Sequence, residues 1–298
     1  MNELQRYLVD EAVEDYKEGR SSRRQALKSI AGLTGAALAA RILDAHAQGR
    51  SAPGGKALSG LAPMVAPDDP AIVAGVAEFP GAGARLSGYL ARPARSGRFP
   101  IVLVCRENRG LTRHIEDVTR RVAKAGYVGL AVDLLSRDGG TAKHDFDAVP
   151  GILGKVPPAR HVQDFASGLA FARAQSAARG ERIGMTGFCF GGGVTWRVAA
   201  GVPELRAAVP FYGLPVQDTE VPNIHAAVLA IYAGRDNRIN QNIPGIEASM
   251  QKHGKTFRKI VYPDVDHAFH NDTGERYNAE AAKAAWSEAL AWFSKYLA

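Results

Sequence analysis

The chain has 298 residues, of which 46% are hydrophobic, 22% charged and 8% aromatic. Those fractions exclude a collagen-like, low-complexity or membrane-bundle protein. The excess of 37 Lys and Arg over 30 Asp and Glu is spread along the chain rather than gathered in a block, which favours solubility or attraction of anions over nucleic-acid binding. Two cysteines, Cys105 and Cys189, allow one disulfide at most and make neither a disulfide framework nor a zinc box.

The amino-terminal stretch reads as an export address. Ser22-Arg23-Arg24-Gln25-Ala26-Leu27-Lys28 follows the twin-arginine pattern S-R-R-x-x-L-K. A weakly apolar run over 30–40 comes next, and Ala45-His46-Ala47 supplies an A-x-A cleavage pattern before Gln48. The apolar run is far short of the roughly 20 residues a membrane span needs, so stable membrane insertion is not expected. The expected partner is export machinery and the expected location the periplasm. If the arginine pair is accidental, this stretch is an amphipathic surface helix or a disordered tail and the protein stays cytoplasmic. Residues 48–70 are rich in Gly, Ala and Pro and read as a linker between this segment, 1–47, and one domain over 71–298.

From residue 71 strand and helix signals alternate. Residues 71–79 and 84–91 form a hairpin around Pro80-Gly-Ala-Gly83. The apolar run 100–105 is a strand buried on both faces. Ile115, Val118, Val122 and Ala125 give helical spacing over 112–125, ended by Gly126. A buried strand over 127–133 precedes a Gly- and Pro-bearing excursion, 138–157. Then come a helix over 161–178, strand 182–187, helix 192–200, strands 207–212 and 227–233, helix 242–253, strand 257–262 and a closing helix over 278–296. Strands alternating with helices over some 220 residues predict a single α/β domain with a mostly parallel sheet covered on both faces. Reactive groups in such sheets collect at the carboxyl ends of the strands.

Three of those ends carry chemistry. The strand ending at Gly187 runs into Gly187-Phe-Cys-Phe-Gly191 and directly into a helix. This fits the G-x-nucleophile-x-G turn, with Cys189 where Ser is commoner. The turn puts the thiol at a helix amino terminus, where the dipole favours thiolate. A phosphate cradle or a core-filling cysteine are the competing readings, but the G-x-G start of a dinucleotide fingerprint is missing. Asp236 follows strand 227–233 and His267 follows strand 257–262. The order nucleophile, Asp, His is that of the α/β-hydrolase triad. In this scheme Cys189 attacks, His267 moves the proton and Asp236 orients the imidazole. Asp264, Asp266 and His270 are nearby decoys. The backbone N–H groups of Phe190 and Asn108 are the candidate oxyanion donors. His, Cys and carboxylates are not paired at metal-ligand spacing, so neither a metal nor an organic cofactor is expected.

The elbow 187–192, Gly234-Arg-Asp236, His267-Ala-Phe269 and Arg106-Glu-Asn108 together resemble the dienelactone hydrolase family of α/β-hydrolases across roughly residues 70–298. The resemblance implies hydrolysis of a small-molecule lactone or ester through an acyl-cysteine intermediate. It also implies that Glu107 holds the resting thiol, since a carboxylate beside the sulfur disfavours a second negative charge; a loop carboxylate paired with Arg106 or Arg109 is the alternative. Members acting on dienelactone carry an Arg four residues after the His, where this chain has Asn271. Arg235, Arg238 or Arg276, or Arg137 or Arg160 from the other side, are candidates to replace it. A broad-specificity carboxylesterase, a redox or binding protein using Cys189, and a silent scaffold are the competing functions.

Overall fold

The structure is a computed structural model that describes residues 1–46 and 62–298. The chain opens with three helices, α1 (Glu3–Lys17), α2 (Arg23–Thr34) and α3 (Ala36–Ala45). Asn2 and Ser22 each close a capping box on Gln5 and Gln25, satisfying donors that a bare helix start leaves unpaired. The sequence reading set this stretch apart from the domain, whereas the described part of it is packed onto the domain. Leu4, Tyr7 and Leu8 enter the main hydrophobic core. Val9, Ala12, Val13 and Tyr16, from other positions of α1, form a second small core with Ala26, Ile30, Ala39 and Leu43. The cleavage position expected after Ala47 and most of the expected linker lie outside the described residues. Its last part is docked on the body: Met64 and Val65 donate backbone N–H groups to the Asp117 carboxylate at 3.1 and 2.8 Å.

The domain follows the expected order closely. Strands β1 (Ile72–Gly81), β2 (Ala84–Pro93) and β3 (Phe99–Cys105) lead to α4 (Arg113–Lys124) and β4 (Val128–Val132). Gly126 ends α4 with φ 98°, a backbone conformation that glycine adopts without strain. The excursion after β4 holds two short 3₁₀ turns, Ser136–Asp138 and Thr141–Lys143, and α5 (Val149–Leu153). Helix α6 (Pro158–Arg173) leads to β5 (Ala178–Phe188), α7 (Phe190–Gly201), β6 (Ala207–Phe211) and β7 (Ala227–Ala233). Helices α8 (Asn237–Asn240) and α9 (Ile243–Lys252), strand β8 (Phe257–Tyr262) and α10 (Ala279–Leu297) complete the chain.

One sheet of eight strands runs in the order β1-β2-β4-β3-β5-β6-β7-β8. Pairings involving β2 are antiparallel, and every pairing from β4 through β8 is parallel. Every residue of β4, β6 and β7 is buried, while the outermost strand β8 is half-buried. That gradient is the signature of a sheet with helices on both faces, and it explains why the inner strands read as continuous apolar runs. Hydrophobic burial at roughly 25 cal/mol per Å² makes this core the dominant favourable term. The fold is the expected single-domain α/β sandwich, and its parallel strands bring β3, β5, β7 and β8 to a common carboxyl end.

Candidate active site

The turn between β5 and α7 is held open by absent side chains. A Cβ on Gly187 would lie 2.2 Å from the Gly191 carbonyl oxygen, and one on Gly191 2.2 Å from that of Arg106. With both positions cleared, the chain reverses within one residue. Cys189 takes φ 58° and ψ −120°, a conformation an L-residue holds only when its surroundings enforce it. Its N–H is tied to Phe211 O at 3.1 Å. The sulfur therefore sits at the start of α7, and Phe190, the first helical residue, belongs to the amides that a helix leaves without an internal partner.

Asp236 and His267 come from the turns after β7 and β8. Asp236 caps α8, accepting from Ile239 N at 3.2 Å with one oxygen, and accepts from His267 Nδ1 with the other. That bond fixes the proton on Nδ1 and leaves Nε2 as the acceptor. Burial works to raise the Asp236 pKa, but His267 and then Arg238 overcome it and hold the group below its ordinary value, so it stays a carboxylate. The His267 ring packs on Tyr212, centroid to centroid 4.9 Å. A ring nitrogen of His267, the Cys189 sulfur and an oxygen of Glu11 all lie within 4.8 Å of one another, and all three residues are buried. Among the described residues this is also the one trio whose ligand atoms could close on a divalent cation.

The sulfur donates to Glu11 Oε1 at 3.0 Å and lies 3.4 Å from the Tyr7 hydroxyl. Burial, then Glu11, then Glu107 push its pKa well above the ordinary thiol value, so the resting group is a thiol. The carboxylate bonded to the sulfur is thus Glu11, while Glu107, the carboxylate the sequence pointed to, bears on the sulfur without a bond to it. Glu107 accepts instead from Asn271 Nδ2 at 2.7 Å and acts on the sulfur only through its charge. Cys105 is fully buried at the end of β3, where burial pushes its thiol up to about 12, and it has no part in the site.

A cleft of about 280 Å³ opens beside the sulfur, lined by Glu11, Glu107, Asn108, Cys189, Asn271 and Arg276 among others. Asn108 and Asn271 are therefore placed where the sequence put them. Arg137 and Arg235 are not. Arg137 is held by Asp164 at 2.8 Å, and Arg235 is exposed and faces Asp264 and Asp266 at 3.6 and 4.0 Å; neither lines the cleft. The cations that line it are Arg20, Arg109 and Arg276, the last 3.7 Å from Asp15; Arg238 does not line it, but bonds Glu14 at 3.3 Å and stacks 4.6 Å over the Tyr7 ring. His270 is buried against Phe188 at 4.9 Å, and burial holds its pKa well below the ordinary imidazole value. It is a core residue, as its reading as a decoy implied.

A mostly parallel sheet with a strained strand-to-helix elbow at its centre, and Asp and His turns after two later strands, defines the α/β-hydrolase class. The chain belongs to the dienelactone hydrolase family, whose model matches residues 86–297. A protein of Methylorubrum extorquens strain AM1, provisionally named a carboxymethylenebutenolidase, is 36% identical over 245 residues, covering 78% of this chain and 84% of that protein. A Salmonella typhi protein of the same provisional name is 35% identical over 257 residues, covering 80% and 94%. The crystal structure of a provisionally named dienelactone hydrolase from Klebsiella pneumoniae superposes with a TM-score of 0.71 at 34% identity, covering 76% of this chain and all of that one. The protein is accordingly a hydrolase of this family.

Proposed function

We propose that the chain hydrolyses a lactone or carboxylic ester through an acyl-cysteine intermediate on Cys189. The supporting observation is the convergence of a positive-φ cysteine, an imidazole and a buried carboxylate at the carboxyl ends of β5, β7 and β8. In the first half-reaction the thiol proton passes to His267 Nε2 and the sulfur adds to the carbonyl carbon. The oxyanion so formed is met by the N–H groups of Phe190 and Asn108. The carbon–oxygen bond then breaks and His267 returns the proton to the leaving alkoxide. In the second half-reaction water adds to the thioester, gives its proton to His267, and the carboxylic acid departs as the proton returns to sulfur. Asp236 keeps the ring in the tautomer that both steps need.

The test is turnover of an activated aryl ester by Cys189→Ala and by His267→Ala. Loss of at least about 10³-fold in kcat/KM, with unchanged melting, is the expected outcome; activity within tenfold of the unaltered chain in either variant rejects the assignment. Asn271, where members acting on dienelactone have Arg, favours a broad carboxylesterase as second reading. A panel of unsaturated lactones, aryl esters and thioesters separates the two: lactone-selective turnover supports the first and a flat profile the second.

We further propose that residues 1–47 are a twin-arginine export signal carrying the protein to the periplasm. Arg23 and Arg24 are exposed at the start of α2, which suits reading by an export receptor. A periplasmic species beginning at Gln48 by mass spectrometry is expected, and one with an intact Met1 rejects the signal.

A further inference from the structure

We propose that α1 is an intramolecular inhibitor that occupies the cleft and holds Cys189 shut until the amino-terminal unit moves away. The proposal rests on the hydrolase reading of the same site. Its first support is contact. Glu11, from the middle of α1, takes the sulfur's hydrogen bond and stands 3.9 Å from His267 Nε2, so it engages the attacking group from beside its base. Cys189 keeps 2% of its surface exposed. Asp15 meets Arg20 and Arg276, both lining the cleft, at 2.9 and 3.7 Å, so the acidic face of the helix occupies cations that an anionic substrate would use, and Glu14 ties the same helix to Arg238 at 3.3 Å.

The second support is what the docked helix leaves unsatisfied. Glu11 Oε2, Glu107 Oε1, His267 Nε2 and both terminal nitrogens of Arg238 are buried without a hydrogen-bond partner. A permanent core pairs nearly all such atoms, because each orphan costs about 1–3 kcal/mol. The five at this sulfur sit where α1 meets the cleft, so a ligand that replaces the helix can satisfy them.

The third support is that the amino-terminal helices are built as a unit. They carry a hydrophobic core of their own, and α2 docks on the α5 excursion. There Lys28 pairs with Asp145 at 3.0 Å and Ser29 Oγ donates to Asp147 O at 3.0 Å. The backbones of Gly32 and Gly151 approach so closely that a Cβ on Gly32 would lie 2.8 Å from Gly151 Cα. Loss of this unit, the stretch read as an export segment, uncovers the sulfur and links enzyme activation to removal of the leader.

Two variants of the full chain test this. Glu14→Arg with Asp15→Arg turns the helix's ion pairs into repulsions. Gly32→Leu drives a wedge between α2 and α5, away from the cleft. The readout is the rate at which iodoacetamide alkylates Cys189, followed by peptide mass, with buried Cys105 as the internal control for folding. Both variants are expected to alkylate at least tenfold faster while Cys105 stays unmodified, and ester turnover is expected to rise with it. Unchanged alkylation of Cys189 in both folded variants overturns the proposal. Faster alkylation with no turnover upholds the inhibitor and removes the hydrolase reading. Turnover by the unaltered chain equal to that of both variants removes the inhibitor and leaves the hydrolase.

Discussion

Replacing Gly191 by Ala tests the elbow on which the chemistry depends. The added Cβ would lie 2.2 Å from Arg106 O and 2.6 Å from Cys105 O, against about 3.0 Å as the closest approach real Cβ atoms make. Both obstacles are backbone at the end of β3, next to Glu107 and Asn108, so no side chain can swing aside. The start of α7 and the end of β3 must therefore separate by close to 1 Å. Overpacking of that kind costs about 1–3 kcal/mol of stability. A displacement of about 1 Å between Cys189 and the loop that supplies Asn108 costs on the order of 10²-fold in rate. Urea unfolding and kcat/KM for an activated ester measure the two effects, and the rate loss should exceed what the unfolded fraction accounts for. A Gly191→Ala protein with kcat/KM within threefold of the unaltered chain would show that the elbow does not position the reacting groups.

Two further outcomes follow from buried charge. Asp236→Asn keeps the shape of the site but loses the acceptor that fixes the His267 tautomer, and kcat should fall by about 10³ to 10⁴-fold. A pH–rate profile is the check, and a loss under tenfold contradicts the orienting role. Asp272 is the second case. Burial alone would raise its pKa, but His114, at 2.7 Å, and Arg121 hold it at about 2, below the ordinary 3.8. Because the folded value is the lower one, this stabilisation is present above about pH 4 and is lost as pH falls towards 2. Asp272→Asn should cost on the order of 2 kcal/mol at pH 7 and flatten the stability profile between pH 4 and 2. An unchanged acid limb in urea titrations counts against the assignment.

The elements from residue 71 onward were legible because each carries its own local period. Continuous apolar runs marked the buried strands, the Ile115–Val118–Val122 spacing marked α4, and Gly126 marked its end. Cys189, Asp236 and His267 were legible because strand ends are readable and the parallel sheet gathers them. Glu11 was not, since it reaches Cys189 across 178 positions of sequence and nothing local records the contact. The one signal was helical spacing in Leu4, Tyr7, Leu8 and Glu11, which marks a face that needs a partner without naming it. The substrate arginines failed for the same reason. Arg137 and Arg235 sit near the right strand ends, yet their side chains are held by Asp164 on α6 and by Asp264 and Asp266.

The central claim is a covalent bond to one sulfur. Mixing the protein with an activated ester, quenching in acid and mapping the acyl mass by peptide sequencing tests it most directly. The acyl group should appear on the peptide carrying Cys189 and nowhere else, and should vanish in Cys189→Ala together with turnover. Continued hydrolysis with that sulfur unmodified, or an adduct on another side chain, contradicts the account.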